Sequence, residues 1–386
     1  MSMHTTPGAF ISETIDVNYT GSDTLKAGYA LCRDVNTIDD TVTGTGVGGG
    51  SVTRPADQSG IAAAKPSFAN LNRFLGVVAP NNAKTQLEAT GARTIKIIPF
   101  WAFAAKVPLW SDESITIGDL LGIQPGSYAF VKGAVFDGKV WARADETQDR
   151  SSTEGTVKSE FGSIVVTPQE YAQRIQVYDN DFMEFDANEI AEAWITTETG
   201  AATQVIADAV GGELLLTNAA SDDDACFMQH RGEKWKCAAG KPLFFYIRFK
   251  VNDDDQIDWI AGLNVIDTTP LAAQDGITFR KDDGDTNIDF NTDKDGTQTD
   301  ADTTLDAVAS QYLALAFFFD GTGAVKAYGY TNATAANVNF SNLALLLTHT
   351  TNICDDEEMT ITFGVQNGEA VAKTMNIDRI IVRQAK

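Results

Sequence analysis

The stretch LFFYIRFKV, residues 243–251, places apolar side chains at every second position. Arg248 and Lys250 fall between them, in the second half of the stretch. Side chains of an extended chain alternate between its two faces, so this pattern predicts a β-strand with one face in a protein core. The residues predicted to face that core are Leu243, Phe245, Ile247, Phe249 and Val251.

Further strands are predicted through the second half of the chain. The run YLALAFFF, residues 312–319, is apolar on both faces, which is typical of a central strand, and Asp320-Gly321 predicts a turn after it. Residues 359–365, MTITFGV, alternate again. No long amphipathic helical pattern follows residue 200. Short strands joined by tight turns predict a two-sheet sandwich of ~200 residues.

The first half of the chain has shorter and more closely spaced strand patterns, between residues 70 and 165. Residues 130–136 and 139–142 flank Asp137-Gly138, and such a pair indicates a β-hairpin because both turn positions require positive φ. The predicted fold class is therefore all-β. A small antiparallel β-barrel or sandwich comes first, and a jelly-roll β-sandwich follows it.

Four segments are predicted from composition and turn signals. Residues 1–25 are polar and are predicted to form an extended arm, and residues 26–166 form the first β-domain. Thr167-Pro168-Gln169-Glu170 has the pattern of a helix start, so residues 167–200 are predicted to be a short helical and acidic connector. Residues 201–386 form the sandwich.

The charge is distributed unevenly along the chain. Residues 1–175 contain 18 Asp and Glu and 15 Lys and Arg, whereas residues 176–386 contain 35 and 14. A near-neutral surface can lie against a large partner, and a strongly acidic one stays solvated, so we expect a docking half and a displayed half. The absence of a basic surface argues against nucleic-acid binding. No stretch approaches the ~18 consecutive apolar residues of a membrane span, and the first residues do not resemble a secretory signal.

Cysteine spacing indicates neither a disulfide framework nor a zinc site rich in cysteine, because no Cys-x-x-Cys pair occurs. Cys226 and Cys237 flank a possible hairpin, and a bond between them stays open, although separate thiols are favoured. The remaining two cysteines are Cys32 and Cys354.

Several segments of the second half resemble the concanavalin-like, laminin-G-like sandwich, a module often found in virion structural proteins of tailed bacteriophages. They are DAVGGELLLTN (208–218), GKPLFFYIRFKV (240–251), GITFRKDDGDTNIDF (276–290) and MNIDRIIV (375–382). In the first half, residues 118–133 and 144–166 resemble the small β-domain of phage capsid decoration, or cement, proteins.

This resemblance implies a structural virion protein. Such a protein binds the outside of an icosahedral phage capsid, cements neighbouring capsomers and displays the acidic lectin-like domain. The implied partner is the major capsid protein, the implied assembly is a homotrimer, and the implied location is the outer capsid surface of the virion. It implies no cofactor and no catalytic residues. The alternative is a carbohydrate-binding adhesion module of a phage tail or fibre, which binds glycans.

An enzyme hypothesis rests on Glu184-Phe-Asp186-Ala-Asn-Glu189, which matches the E-x-D-x-x-E pattern of laminarinase-like retaining glycosidases. Such enzymes need two carboxyl groups ~5 Å apart. The pattern precedes the first clear strand of the sandwich, and Asp179, Asp181 and Glu192 surround it. A solvated acidic connector is therefore favoured over a catalytic strand.

Two further patterns in the second half are compatible with a metal site and with a sugar site. Asn291, Asp293, Asp295 and Asp302, with Gly296, have the spacing of a calcium loop, although an acidic hairpin turn is favoured. The aromatic side chains of the sandwich are expected either to stack on sugar rings or, by preference, to pack in the core. These are Trp235, Phe244, Tyr246, Trp259 and Tyr328.

Overall fold

The computed structural model divides the chain into two compact units, residues 1–171 and 172–386. The predicted junction after residue 166 lies a few residues before the observed boundary. The residues that the structure describes are 14–34, 44–45, 51–52, 61–79, 82–89, 91–99, 107–111, 115–116, 118–132, 136, 139–144, 159–162, 175–183, 192–207, 211–334 and 337–386.

The first unit contains twelve described strands and one short helix. The strands are β1 (Ile15–Tyr19), β2 (Ala30–Arg33), β3 (Gly44–Thr45), β4 (Ser51–Val52), β5 (Ala62–Ala64), β6 (Phe74–Val78), β7 (Arg93–Pro99), β8 (Val107–Leu109), β9 (Leu120–Ile123), β10 (Phe130–Lys132), β11 (Ala142–Ala144) and β12 (Ser159–Gly162). The helix α1 spans Lys84–Glu88, and a 3-10 turn spans Leu71–Arg73.

Five of these strands close into a barrel in the order β1-β5-β2-β6-β7, with β7 paired to β1. The predicted barrel is thus present, but it is not wholly antiparallel, because β1 runs parallel to β5. The prediction that residues 1–25 form an arm is wrong for residues 15–19. Val17 and Tyr19 are buried in the barrel core, and that burial holds β1 in the barrel.

A second sheet of the first unit has the order β10-β9-β11-β12-β8 and is antiparallel. It shares aromatic packing with the barrel, since Tyr128 lies within the barrel cluster and its ring stacks on Tyr29 with centroids 4.8 Å apart. The strands β3 and β4 pair separately. The turn predicted at residues 137–138 and the helix start predicted at residues 167–170 lie outside the described residues.

The second unit contains fifteen described strands. They are β13 (Ile175–Asn180), β14 (Trp194–Thr199), β15 (Ala202–Ala207), β16 (Glu213–Asn218), β17 (Ala225–His230), β18 (Leu243–Val251), β19 (Ile257–Asn264), β20 (Gly276–Lys281), β21 (Asn287–Lys294), β22 (Thr297–Asp306), β23 (Tyr312–Phe319), β24 (Val325–Asn332), β25 (Ala344–His349), β26 (Thr360–Asn367) and β27 (Thr374–Ala385). Short 3-10 turns span Pro270–Ala272 and Phe340–Asn342.

These strands form two large sheets, so the predicted sandwich is confirmed. One sheet has the order β15-β16-β27-β18-β23-β24-β25, and β13 also pairs with β27. The other has the order β14-β17-β26-β19-β20-β21-β22. The twelve-residue strand β27 bonds β16 along its first part and β13 along its last part.

The prediction of a connector over residues 167–200 is wrong where the structure describes it, because β13 and β14 belong to the two sheets. Ile175 and Trp194 are buried, and burial of these side chains fixes both strands on the sandwich.

The core lies between the two sheets and is rich in aromatic rings. Phe245 of β18 stacks on Phe317 of β23 with centroids 5.0 Å apart, and Phe249 meets the edge of Trp259 at 5.0 Å. Within the stretch 243–251, the five side chains that were predicted to face the core are all buried in it. Within the described residues, no helix is long and apolar enough to cross a membrane.

Candidate functional site

Polar side chains line the face of β20, β21 and β22 that points away from the core. On β21, Ile288 and Phe290 are buried in the core, so Asp289, Asn291 and Asp293 point to the opposite face.

Antiparallel register brings polar neighbours beside these three residues. Arg280 and Thr278 of β20 lie opposite Asp289 and Asn291, while Asp302 and Asp300 of β22 lie opposite them on the other side. Residues directly opposite in such a ladder share a face. We call this surface the β20–β22 face, formed by Thr278, Arg280, Asp289, Asn291, Asp293, Asp300 and Asp302.

The β20–β22 face has a buried polar floor and an exposed acidic rim. Thr278 and Asn291 are buried, whereas Asp300 and Asp302 are exposed. The side chain of Arg280 is 22% exposed, and one of its guanidinium nitrogens lies 3.3 Å from a carboxylate oxygen of Asp282. The arrangement therefore places the donors of Arg280, Thr278 and Asn291 beside carboxylate acceptors on β21 and β22.

Burial and mutual repulsion shift the titration of the carboxyl groups on this face. Burial, followed by the charge of Asp300, raises the pKa of Asp289 to about 6. Burial raises the pKa of Asp293 to about 6, against the opposing effect of Arg280. Asp300 is exposed as a residue, but partial burial of its carboxyl group raises its pKa, against the opposing effect of Arg280. Near pH 6, Asp289 and Asp293 can therefore take up protons and then donate as well as accept hydrogen bonds.

The neighbouring strands of the same sheet are covered by the segment between β19 and β20. Leu271 packs on Phe227 and Ile260. Gln229 fixes the segment, because its Nε2 donates to the carbonyl oxygen of Val265 at 3.0 Å and its Oε1 accepts from the Asp267 amide at 3.0 Å. The segment therefore borders the β20–β22 face on one side.

The four residues considered for calcium lie on the hairpin of β21 and β22, as the acidic-turn alternative predicts. Asp302 lies opposite Asp289 in the ladder. Asp295 lies in the turn of the hairpin, six residues after Asp289. At about 3.3 Å per strand residue, this separation is about 20 Å. Asp295 and Asp302 therefore cannot bind one ion, and the set Asn291, Asp293, Asp295 and Asp302 does not form one calcium loop.

The aromatic residues considered for sugar stacking are all buried, as the preferred alternative predicts. Phe244 and Tyr246 point away from the core but are covered by Phe340, at ring-centroid distances of 5.5 and 5.8 Å. Trp259 packs against Phe249 in the core. Trp235 and Tyr328 are also buried, so none of the five offers an open stacking platform.

The other residues singled out in the sequence are either buried in the protein or outside the described residues. His349 is buried, and its Nδ1 lies 3.1 Å from the hydroxyl of Thr292. All four cysteines are buried and none forms a disulfide. The Cys226 thiol accepts a hydrogen bond from Gln204 at 3.2 Å. Glu184, Asp186 and Glu189 lie outside the described residues.

Sequence reasoning missed Arg280, Asp289 and Asp300 as members of one surface. A usable signal was present, because residues 287–293 alternate polar and apolar side chains around Ile288 and Phe290. The pairing of β20 with β21 and of β21 with β22 was needed to bring the three residues together.

Solved structures with a similar fold include a protein of unknown function from Shewanella oneidensis MR-1, with 15% identity, a TM-score of 0.41, and coverage of 57% of this chain and 95% of that one. Peanut lectin has 9% identity and a TM-score of 0.39, and the match covers 54% of this chain and 97% of the lectin. A Bacillus licheniformis β-glucanase has 14% identity and a TM-score of 0.37, and the match covers 54% of this chain and 98% of the glucanase. The strand order of the second unit shows two large β-sheets that form a sandwich. No protein-family model and no curated protein matches the chain.

Proposed function

We propose that this protein is a non-enzymatic assembly protein whose first unit docks on a large partner while its sandwich stays exposed to solvent. The observation that carries the proposal is that the change in charge along the chain coincides with the boundary between the units. Residues 1–171 hold 18 acidic and 14 basic residues, whereas residues 172–386 hold 35 and 15. A protein surface with so large a net negative charge repels other acidic surfaces and stays hydrated.

The partner that fits best is the shell of a tailed-phage virion, and specifically its major capsid protein. The resemblance of residues 118–133 and 144–166 to capsid decoration proteins supports this choice. In this proposal three copies bind as a homotrimer on the outer capsid surface, and each modest contact gains avidity from the other two.

The proposed action is thermodynamic and involves no covalent step. Subunits that bind only the assembled shell shift the equilibrium toward that shell by mass action. Accordingly, we expect no hydrolysis of β-glucans, and Glu184 and Glu189 should be dispensable for capsid binding.

A lysine-labelling footprint of the full chain, free and bound to capsids that lack it, tests the docking unit. The probes are exposed lysines of each unit, and each lysine is compared with itself in the free and the bound protein. We expect one or more lysines of the first unit to become protected on binding, while those of the sandwich keep their reactivity. The two sets are Lys26, Lys84 and Lys139 in the first unit, and Lys234, Lys241 and Lys386 in the sandwich.

Two results would contradict the proposal. One is a protein that does not sediment with such capsids at any salt concentration. The other is protection confined to the sandwich lysines, which would assign docking to the wrong unit.

A second candidate function is glycan binding at the β20–β22 face. Arg280, Asn291 and carboxyl groups of raised pKa offer donors and acceptors side by side, which suits the hydroxyl groups of sugars. Four aspartates beside one arginine disfavour acidic glycans, so neutral or amino sugars are the expected ligands.

A glycan array with the full chain tests this candidate. We expect Asp289→Asn and Arg280→Ala to remove any binding, while Asp222→Asn, an exposed substitution outside the β20–β22 face, preserves it. Uniform absence of binding by the unmodified protein would remove glycan recognition but leave the docking proposal standing.

A further inference from the structure

A mixed set of metal-ligating side chains lies at one end of the sandwich, outside the β20–β22 face. Asp275, Cys354 and Asp356 each place one ligand atom so that all three atoms lie within 4.8 Å of one another. Asp275 directly precedes β20, whereas Cys354 and Asp356 belong to the segment that joins β25 to β26. The cluster therefore connects a crossover between the two sheets to the start of a strand.

Two of the three side chains are already held in place by the surrounding backbone. An Asp275 carboxylate oxygen accepts a hydrogen bond from the Asp295 amide at 2.9 Å. The Cys354 thiol is completely buried and its Sγ lies 3.7 Å from the carbonyl oxygen of Glu357. Because these side chains are already ordered, binding a metal ion would cost less conformational entropy.

The donor atoms select the kind of ion. One sulfur and two carboxylate oxygens match the ligands of Zn²⁺, which accepts thiolate sulfur at about 2.3 Å and carboxylate oxygen at about 2.0–2.2 Å. Calcium and magnesium bind oxygen ligands and are disfavoured by the sulfur.

We propose that Asp275, Cys354 and Asp356 bind one Zn²⁺ ion, with water as the fourth ligand of a tetrahedral site. On binding, the Cys354 sulfur exchanges its proton for the metal ion, and the proton passes to solvent. The thiolate and the two carboxylates carry three negative charges against the two positive charges of the ion. The ammonium group of Lys294 lies 3.5 Å from an Asp356 carboxylate oxygen and also pairs with Asp355, so it offsets part of the remaining negative charge.

The consequence of zinc binding is a crosslink between elements that are distant in sequence. The ion would join the segment between β25 and β26 to the start of β20, and it would bind the folded sandwich in preference to the unfolded chain. Binding of that kind raises the stability of the folded state as zinc concentration increases. The inference does not depend on the docking function proposed above.

The test uses the full chain, stripped with a chelator, kept reduced and titrated with Co²⁺ as a spectroscopic substitute for Zn²⁺. We expect a thiolate-to-cobalt charge-transfer band that saturates at one equivalent and disappears when Zn²⁺ is added. Cys354→Ser should abolish the band, and Asp356→Asn should weaken binding about tenfold or more. Cys226→Ser is the matched control, because Cys226 is another buried thiol that bonds Gln204 instead.

Asp356 is exposed, so Asp356→Asn also guards against a result that merely reflects misfolding. Its far-UV circular dichroism should match that of the parent. Cobalt binding that survives both Cys354→Ser and Asp356→Asn would overturn the proposal, as would an absence of any charge-transfer band in the reduced parent protein.

Discussion

The ammonium group of Lys281 donates a 2.8 Å hydrogen bond to the carbonyl oxygen of Ile257 inside the sandwich. Two further carbonyl oxygens, those of Asp255 and Asp282, accept from the same nitrogen at 2.8 and 3.0 Å. The lysine is completely buried at the end of β20, and burial lowers its pKa. One side chain thus satisfies three backbone acceptors near the ends of β19 and β20.

Replacement of Lys281 by methionine should destabilise the sandwich by roughly 2–4 kcal/mol. The apolar side chain would leave buried carbonyl oxygens without a donor, and that cost exceeds the gain from removing a buried charge. Urea denaturation followed by tryptophan fluorescence measures the change. Lys241→Met, at an exposed position, is the control and should have little effect. Equal stability of the two variants would contradict this account.

Truncation of Phe317 to alanine should cost about 3–5 kcal/mol, because its ring is fully buried and stacks on Phe245 in the centre of the core. Thermal unfolding by calorimetry measures the loss. Leu345→Ala removes a comparable apolar side chain that is 56% exposed, and it should leave the melting temperature nearly unchanged. A similar shift for both variants would show that the stacked pair does not anchor the core.

Strands with strong alternation or a long apolar run were predicted correctly from sequence. The structure has strands at residues 243–251 and 312–319, as expected, because burial on one or both faces leaves a local pattern. The strands β13 and β14 were missed. They carry several polar, half-exposed residues, and β13 is held by its register with the last part of the long strand β27.

The candidate sites were harder to predict, because linear spacing does not contain strand register. The acids between Asn291 and Asp302 match a calcium loop when counted along the chain, yet the hairpin separates two of them by about 20 Å. Asp275 and Cys354 are far apart in sequence and meet only through the sheet crossover. No local pattern marks such a pair.

Acidification from pH 7 toward pH 5 should stabilise the sandwich through Asp289. Its pKa is raised to about 6 in the folded state, against 3.8 for an ordinary aspartate, because of burial and the charges of Asp300, Asp282, Asp302 and Asp285. The folded state therefore binds this proton more tightly than the unfolded state. Stability from Asp289 is gained as pH falls through about 6, and the gain is complete below about 4.

Asp289→Asn checks this sign by urea denaturation at pH 7.5 and pH 5. The variant should be more stable than the parent at pH 7.5 and should show a smaller gain on acidification. Asp253 does not contribute in this range, because Lys373 lowers its pKa to about 2 despite the opposing effect of burial. A parent protein that loses stability between pH 7.5 and pH 5, with no difference in the variant, would contradict the prediction.

Loss of the Gln229 side-chain amide should release the segment that covers the middle of the seven-stranded sheet. Gln229 is fully buried, and Gln229→Met removes the donor to Val265 and the acceptor for the Asp267 amide while it keeps the side-chain volume. Hydrogen exchange around residues 265–267 should accelerate at least tenfold, because the side-chain hydrogen bonds of Gln229 to Val265 and Asp267 are lost. The bonds of Glu233 to the Ile266 amide and of Asn264 to the Pro270 carbonyl remain and hold the rest of the segment. Gln204→Met, on the edge strand β15, should leave that exchange unchanged, and equal acceleration in both variants would show that Gln229 does not anchor the segment.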